Sequence, residues 1–313
     1  MKLLRGFNHI PAAFPRCVAT IGNFDGVHLG HQALLSAVKQ QSERLQLPSL
    51  LIVFEPQPNE FFGRNVPARL MRLREKLLAV QKFGLDYVLC LRFDAKLAEL
   101  SPEAFVETLL VQQLNVAHLI VGDDFHFGRG RGGNIALLQQ IGLQRGFTAQ
   151  ALETYRLNGE RVSSSRIRVA LQAGDLTTAS ALLGKPYGMS GKVVHGNKLG
   201  RLMGFPTANL YLHRKVVPLQ GIHVVKTYGL SAEPIEGVAN IGNRPALGGG
   251  RVLLEVHLFN FNADIYGKHI YIEFLHKLRD EAYYPSLELL REQISKDVDD
   301  AKKFFSEEND KVK

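Results

Sequence analysis

Nowhere in its 313 residues does this chain approach the roughly 18 consecutive apolar positions that a membrane-spanning helix needs, so helical membrane proteins are excluded. Its first residues, Met1 to Arg16, are broken by Arg5, Asn8 and Pro11 before a signal-like apolar run can develop, and a cytoplasmic protein is expected. Cysteine is scarce. Cys17 and Cys90 both lie in apolar stretches and share no metal-type spacing, so they are expected as buried thiols. There is no internal repeat, no low-complexity tract and no run of five or more basic residues. The net charge of +8 calls for an anionic partner, and spread along the chain as it is, it suits a phosphate-rich small molecule better than a nucleic acid.

What the chain does contain is enough apolar material for packed cores: hydrophobic residues make up 45% and charged residues 22%, the balance of a globular protein. Its length is about twice that of a usual domain, which predicts two. From residue 17 to about 183, short apolar runs (Cys17 to Ile21, Leu50 to Phe54, Tyr87 to Leu91, His118 to Val121) alternate with helix-period segments at Gln32 to Leu45, Arg69 to Phe83 and Pro102 to Leu114. That alternation implies an α/β unit with an open parallel sheet and a ligand crevice at the carboxyl ends of its strands. After Leu182-Leu183-Gly184-Lys185-Pro186 the period changes to two, in Gly191 to His195, Ile222 to Tyr228, Arg251 to Phe259 and Ile270 to Leu275. A small β-barrel is expected there. Leu287, Leu290, Ile294, Val298 and Ala301, after Pro285-Ser286, predict a closing helix. The boundary is placed near residue 186, giving domains 1–186 and 187–313.

The strongest local signal is GNFDGVHLGHQ, Gly22 to Gln32, between the first strand and the first long helix. Gly22 and Gly26 permit a tight turn, and Gly30 removes a side chain where a flat base would press on the helix start. His28 and His31, three apart at the helix entry, can aim two imidazoles at one phosphate beside the positive end of the helix dipole. Such donors suit attack on an α-phosphate with loss of pyrophosphate. Taken alone, the pair fits two ligand-free histidines equally well, while a zinc site lacks HExxH and a third ligand. SSSRIR, from Ser163, offers hydroxyls and amides at a helix start, with Arg168 as a cationic fork for β and γ phosphates; alone it is also an ordinary N-cap. Gly128, Gly130 and Gly133 satisfy G-x-G-x-x-G, with Glu153 downstream. Here, however, Asp123 to Phe127 separate the strand from the first glycine, which argues against a dinucleotide fold.

The second half carries GKVVHGNKLGRLMGFPTANL, Gly191 to Leu210. It is not a Walker loop, but its glycine-spaced turn at Gly196, with Lys198 and Arg201, could fold over phosphates or simply close a hairpin. Thr207 and Asn209 point to the same side of an extended segment and offer two neutral oxygens, a set suited to magnesium that completes its shell with water and nucleotide phosphates. In VLLEVHLF, Val252 to Phe259, alternation puts Glu255 on the face opposite Val252, Leu254, Val256 and Leu258, where a strand Glu is ordinarily just solvated.

Taken together, these strings resemble the bifunctional bacterial riboflavin kinase/FAD synthetase family over roughly residues 15 to 300. The GNFDGVHLGHQ turn is similar to the HxGH signature of nucleotidyltransferases, SSSRIR to the second ATP motif with Ser165 in the Thr position, and PTAN and EVHLF to the kinase signatures. The resemblance implies an HxGH-type Rossmann-like domain that adenylylates FMN and a riboflavin-kinase barrel, with ATP as co-substrate, Mg2+ as metal, and riboflavin, FMN and FAD as substrates or products. It implies catalytic roles for His28, His31, Arg168 and Glu255, the last as base for the ribityl hydroxyl. ATP is expected at Gly22, Asn23, Phe24, Asp25, Gly30, Ser163, Ser164, Ser165, Gly196, Lys198 and Arg201, flavin at Phe62, Asp124, Phe127 and Arg279, and the metal at Thr207 and Asn209. FEPQPNEFF, Phe54 to Phe62, resembles the loop beside the flavin, with Gln57 where His is frequent, and it reads equally as a proline-stiffened loop with core phenylalanines. NIGNRP, from Asn240, and LRDE, from Leu278, also look like family segments. His126, Asn134, His223 and Ala246 depart from the usual Arg, Asp, Tyr and Thr. Two alternatives stay open: a chain with one active domain, and a flavin-binding regulator without turnover. An RNA-directed adenylate former is disfavoured by the lack of a KMSKS-like loop and an RNA-binding appendage.

Overall fold

The structure, a computed structural model, describes residues 1–63, 66–196, 199–214, 216–243 and 252–312. Two compact units are present, one of Met1–Pro67 with Met71–Ser163, the other of Ala68–Leu70 with the chain from Ser164 onward.

The first unit is built on a sheet of β1 (Lys2–Arg5), β2 (Cys17–Ile21), β3 (Ser49–Phe54), β4 (Tyr87–Leu91), β5 (Val116–Gly122) and β6 (Thr148–Leu152). They pair in the order β1-β4-β3-β2-β5-β6, every neighbour parallel. Its helices are α1 (Leu29–Leu45), α2 (Pro58–Phe62), α3 (Leu73–Gln81), α4 (Ala95–Ala98), α5 (Pro102–Phe105) and α6 (Ile135–Arg145). Every residue of β2 and β3 is buried because both faces of the sheet are covered, which is why these strands read as near-continuous apolar runs, with Thr20 and Ser49 as their polar residues. Cys17, Ala19 and Ile21 enter one core with Leu109, Leu110 and Leu138, while Val18 enters the other with Leu34, Leu35, Val38 and Val80. Each Leu, Ile or Val among them contributes roughly 1.5–3 kcal/mol by burial. Cys17 and Cys90 are buried thiols, and burial pushes Cys17 up to about 12. The helix expected over Arg69 to Phe83 is shorter, and that over Pro102 to Leu114 passes into π-helical turns over Val106–Gln113. From β2 the strand order runs outward both ways, to β3 and β4 on one side and β5 and β6 on the other. The crevice of such a sheet therefore opens at the carboxyl ends of β2 and β5.

A two-stranded ribbon, β7 (Arg156–Leu157) and β8 (Glu160–Arg161), closes the first unit. The second begins with α7 (Ser164–Gln172) and α8 (Leu176–Leu183), followed by β9 (Tyr187–Val194), α9 (Leu199–Leu202), β10 (Thr207–Tyr211), β11 (Gly221–Tyr228), β12 (Ile235–Asn243), β13 (Val252–Leu258), β14 (His269–Arg279) and α10 (Leu287–Val312). The strands close an antiparallel barrel in the order β10-β13-β12-β11-β14-β9, with β9 returning to β10. Val252, Leu254, Val256 and Leu258 are its buried row, as the period-two pattern requires. α10 packs Val298, Ala301 and Phe305 on Ile222, Val224, Val238 and Phe259. Leu287, expected on that apolar face, is exposed; Phe305, a turn beyond the expected stripe, is buried. The α/β and β-barrel classes expected from periodicity are both present.

Candidate active sites

In the first unit the motif lies where β2 hands over to α1. Gly22 donates its N–H to the Ile52 carbonyl at 3.1 Å, and the chain then reverses through three positive-φ residues, Phe24 (47°), Gly26 (90°) and Val27 (45°). Only Gly26 is free of the steric cost this carries. His28 is the N-cap of α1: its Nδ1 accepts the His31 backbone N–H at 3.3 Å, which leaves the proton of the neutral ring on Nε2. The two imidazoles stack at 3.6 Å between centroids and 15° between planes, and Phe24 lies 4.8 Å from His31. Burial, followed by the neighbouring His28 and Lys76, holds His31 well below the usual histidine range, so the ring stays neutral. His31 Nδ1 is shut off from solvent without a hydrogen-bond partner.

Gly30 has a local reason: a Cβ there would stand 3.3 Å from the His28 ring and 3.5 Å from Tyr155, so the small residue lets the imidazole lie against the helix start. At Gly22 a Cβ would meet the Phe24 ring at 3.2 Å. Phe24 and Asp25 are buried, and Asp25 Oδ1 accepts the Met71 N–H at 2.9 Å. Lys76 of α3, which sequence reading passed over, is 1% exposed and donates from Nζ to the Asn23 carbonyl at 2.5 Å. Its signal was present: it stands at i+3 from Leu73 and i−4 from Val80, a lysine on the apolar stripe of its helix.

At the end of β5, Asp123 accepts from Thr154 N and Oγ1 at 2.9 and 2.7 Å, and Asp124 is ion-paired with Arg161. His126 Nδ1 lies 2.9 Å from the Asp124 carbonyl. Phe127 is buried between Phe105 and Phe125, and its ring fills the space a Cβ on Gly133 would need, 2.6 Å away. Asn134, in place of the usual Asp, caps α6 by accepting from Leu137 N at 3.1 Å, a task either side chain performs. Phe62, by contrast, is 60% exposed at the edge of a cluster with Phe54, Phe61 and Phe93. Gln57 is buried at the start of α2, its backbone N–H donating to Glu60 at 2.9 Å. Ser163 ends the first unit; Ser164, Ser165 and Arg168 belong to the second, where Arg168 Nε donates to the Ala68 carbonyl at 2.6 Å.

In the barrel, register assembles a row. Asn209 of β10 stands opposite Glu255 of β13, and Glu255 stands opposite Asn240 of β12. Directly paired residues share a face with Cβ atoms about 5 Å apart, so the carboxylate is flanked by two carboxamides. The Oδ1 atoms of Asn209 and Asn240 are both buried with no hydrogen-bond partner. Asn209 Nδ2 donates to the Thr207 carbonyl at 3.3 Å, which orients that carboxamide, and Thr207 lies two residues away on the same face. Gly196 presses on Asn209; a Cβ there would fall 2.4 Å from Nδ2. Arg201 is exposed on α9. Lys198, Pro245 and Ala246 lie outside the described residues.

Arg279 forms a bidentate ion pair with Asp297 of α10, Nε to Oδ1 at 2.8 Å and Nη2 to Oδ2 at 2.6 Å, and lies 5.7 Å from the Tyr284 ring. The Asp297 bonds raise its proton affinity further. His223 is fully buried, edge-on to Phe274, with Nε2 3.0 Å from the Gln220 carbonyl; burial lowers it to about 4.

A family model described as FAD synthetase matches residues 10–166, and one described as riboflavin kinase matches residues 183–305. The chain is 48% identical over 307 residues to a bifunctional riboflavin kinase/FMN adenylyltransferase of Haemophilus influenzae, covering 98% of this chain and 100% of that protein. It is 47% identical to the protein of the same description from Escherichia coli K12, covering 97% and 98%. Among solved structures, one described as a macrolide-efflux protein from Streptococcus pneumoniae superposes with a TM-score of 0.81 at 26% identity, covering 95% of this chain and 97% of that one. Among the described residues no helix is long and apolar enough to cross a membrane.

Proposed function

The chain belongs to the bifunctional riboflavin kinase/FMN adenylyltransferase family, makes FMN and FAD with ATP as co-substrate, and we propose that its two reactions are divided between domains 1–186 and 187–313. The two family matches, ending at 166 and starting at 183, support that division.

One observation carries the adenylyl-transfer assignment: the stacked His28 and His31 at the amino end of α1, where the strand order of a parallel sheet diverges. A phosphate oxygen of FMN attacks the α-phosphorus of ATP and pyrophosphate leaves. His28 donates from Nε2 to an oxygen on which charge grows, with the α1 dipole and neutral His31 beside it. Gly22, Asn23, Phe24, Asp25 and Gly30 shape the ATP loop, Phe24 and Asp25 from within it. Ser163, Ser164, Ser165 and Arg168 are assigned to the same reaction on their sequence. Phe62, Asp124 and Phe127 are assigned to the flavin, with exposed Phe62 offering a ring face and buried Phe127 anchoring its loop against Phe105.

The barrel phosphorylates riboflavin, and the row Asn209, Glu255, Asn240 carries that assignment. Glu255 accepts the ribityl hydroxyl proton as the γ-phosphoryl is transferred, giving FMN and ADP. Asn209, with its buried unpartnered Oδ1, and Thr207 fit Mg2+, a hard ion that takes few protein oxygens. Bound there, it would neutralise phosphate charge. Gly196, Lys198 and Arg201 are assigned to ATP, and Arg279 to the flavin through the segment it anchors.

Riboflavin incubated with MgATP and separated by chromatography should pass through FMN to FAD, with one ADP and one pyrophosphate per FAD. Flavin retention without ADP release would identify a binder instead.

A further inference from the structure

Lysine is almost never fully buried unless its charge is matched, because taking an ammonium out of water costs several kcal/mol even after relaxation. Lys76 is 1% exposed, among the largest fully enclosed side chains of the described residues. It occupies a core position of α3, between Leu73 and Val80, both packed in the apolar cluster that also holds Phe24, Val27 and Leu34. A leucine at this position would satisfy the helix pattern with no polar group to place. What the ammonium reaches is the phosphate loop itself, through the Asn23 carbonyl at 2.5 Å. A second bond runs from the lead-in to the same helix to the same loop, Met71 N–H to Asp25 Oδ1 at 2.9 Å. Two residues of the loop, Asn23 and Asp25, are thus fastened from the α3 side, one through its carbonyl by the lysine and the other through its carboxylate by a backbone N–H.

We propose that Lys76 is a positioning residue for adenylyl transfer, fixing the Gly22–Gly26 loop through the Asn23 carbonyl and setting a positive charge beside the two stacked imidazoles. The inference rests on the assignment of this site to the adenylyl transfer. A positive charge there has two effects. It lowers the cost of bringing an anionic triphosphate to a buried site, where charge interactions are stronger than in water. It also opposes protonation of His31, on which His28 at the cap of α1 and Lys76 of α3 act in the same direction. With His31 neutral, a stacked pair of imidazoliums at 3.6 Å is avoided.

The full chain carrying Lys76→Met or Lys76→Gln tests this. FAD formation from supplied FMN is measured against ATP concentration from pH 5.5 to 8.5, FMN formation from riboflavin is measured in the same preparation, and His31 is titrated by NMR. For Lys76→Met, kcat/KM for ATP in FAD formation should fall about 10- to 100-fold, the scale of a small misplacement of reacting groups, while FMN formation stays within twofold. The His31 titration should move up towards the ordinary histidine value, and FAD formation should acquire an acid limb at that new position. Lys76→Gln, which keeps a donor but not the charge, should recover part of the ATP dependence and none of the titration shift; it carries the same test if the methionine chain does not fold. Wild-type FAD formation and an unmoved His31 in both variants would overturn the proposal, as would parallel loss of FMN formation. Failure of the parent chain to make FAD would instead remove the site assignment itself.

Discussion

Replacing His28 separates two contributions that this residue makes at once. As N-cap of α1 it accepts one backbone N–H, at 3.3 Å, longer than the usual 2.7–3.2 Å. Caps of this kind are worth about 0.5–2 kcal/mol, and the long contact puts His28 near the lower end. Its ring also stacks on His31, worth about 0.5–1.5 kcal/mol by analogy with aromatic pairs. Losing both, in His28→Ala, should cost roughly 1–2 kcal/mol, or a fall in Tm of several degrees at about 2–4 °C per kcal/mol. The catalytic loss is larger: a donor aimed at developing charge is worth about 2.7–4 kcal/mol, a factor of 10² to 10³ in rate. His28→Asn separates the two, since asparagine is among the best caps but has no imidazole. The expected result is a stability loss no larger than the stacking contribution, about 0.5–1.5 kcal/mol, with FAD formation from FMN down at least 100-fold and FMN formation unchanged, read by chromatographic separation of flavins and by thermal melting. An asparagine variant that makes FAD within tenfold of the parent would refute the catalytic assignment and leave His28 a cap.

Glu255→Gln should lower FMN formation from riboflavin by about 10² to 10⁴, the usual worth of a positioned base, and leave FAD formation from supplied FMN intact; the same flavin separation reads both. Asn209→Ala should raise the Mg2+ concentration for half-maximal FMN formation by at least the tenfold typical of losing even an outer-shell partner, seen in a magnesium titration at saturating ATP. His223 predicts a pH effect on the barrel. Burial, backed by Lys277 and His276 and opposed by the Gln220 carbonyl bond and Asp280, sets it at about 4 folded against 6.5 ordinarily. The unfolded chain therefore binds a proton that the folded barrel refuses, so this contribution is complete above pH 6.5, falls as pH drops, and levels off below 4. At pH 5 the loss is about 2 kcal/mol, at 1.36 kcal/mol per pH unit. His223→Phe should remove that part of the acid sensitivity, measured by hydrogen exchange of β11 and β14 amides at pH 7 and 5.

By itself the sequence settled what depends on local order and period. The largely apolar runs of β2, β3 and β4, the two-residue alternation of β13 and the three-four spacing of α10 each have one cheap way to bury their side chains, so fold class and motif positions could be read directly. Strands whose residues answer to distant neighbours could not. β12 is broken in sequence by Gly237 and Gly242, where a Cβ would lie 2.4 Å from the His257 carbonyl and 1.9 Å from Glu281, so close packing erased the alternation that marks a strand. β6, half-exposed along its length, shows little apolar signal, and β1 is four residues long. The sites divide in the same way. His28 caps α1 and His31 lies in its first turn, so any α-helix beginning there brings them together. The Asn209, Glu255 and Asn240 row depends on the register of three strands, and the meeting of Lys76 with Asn23 on the packing of a helix against a loop 53 residues away. Backbone hydrogen bonding within a segment is decided by its own residues, whereas a side chain's partners across the fold are decided only when the whole unit closes.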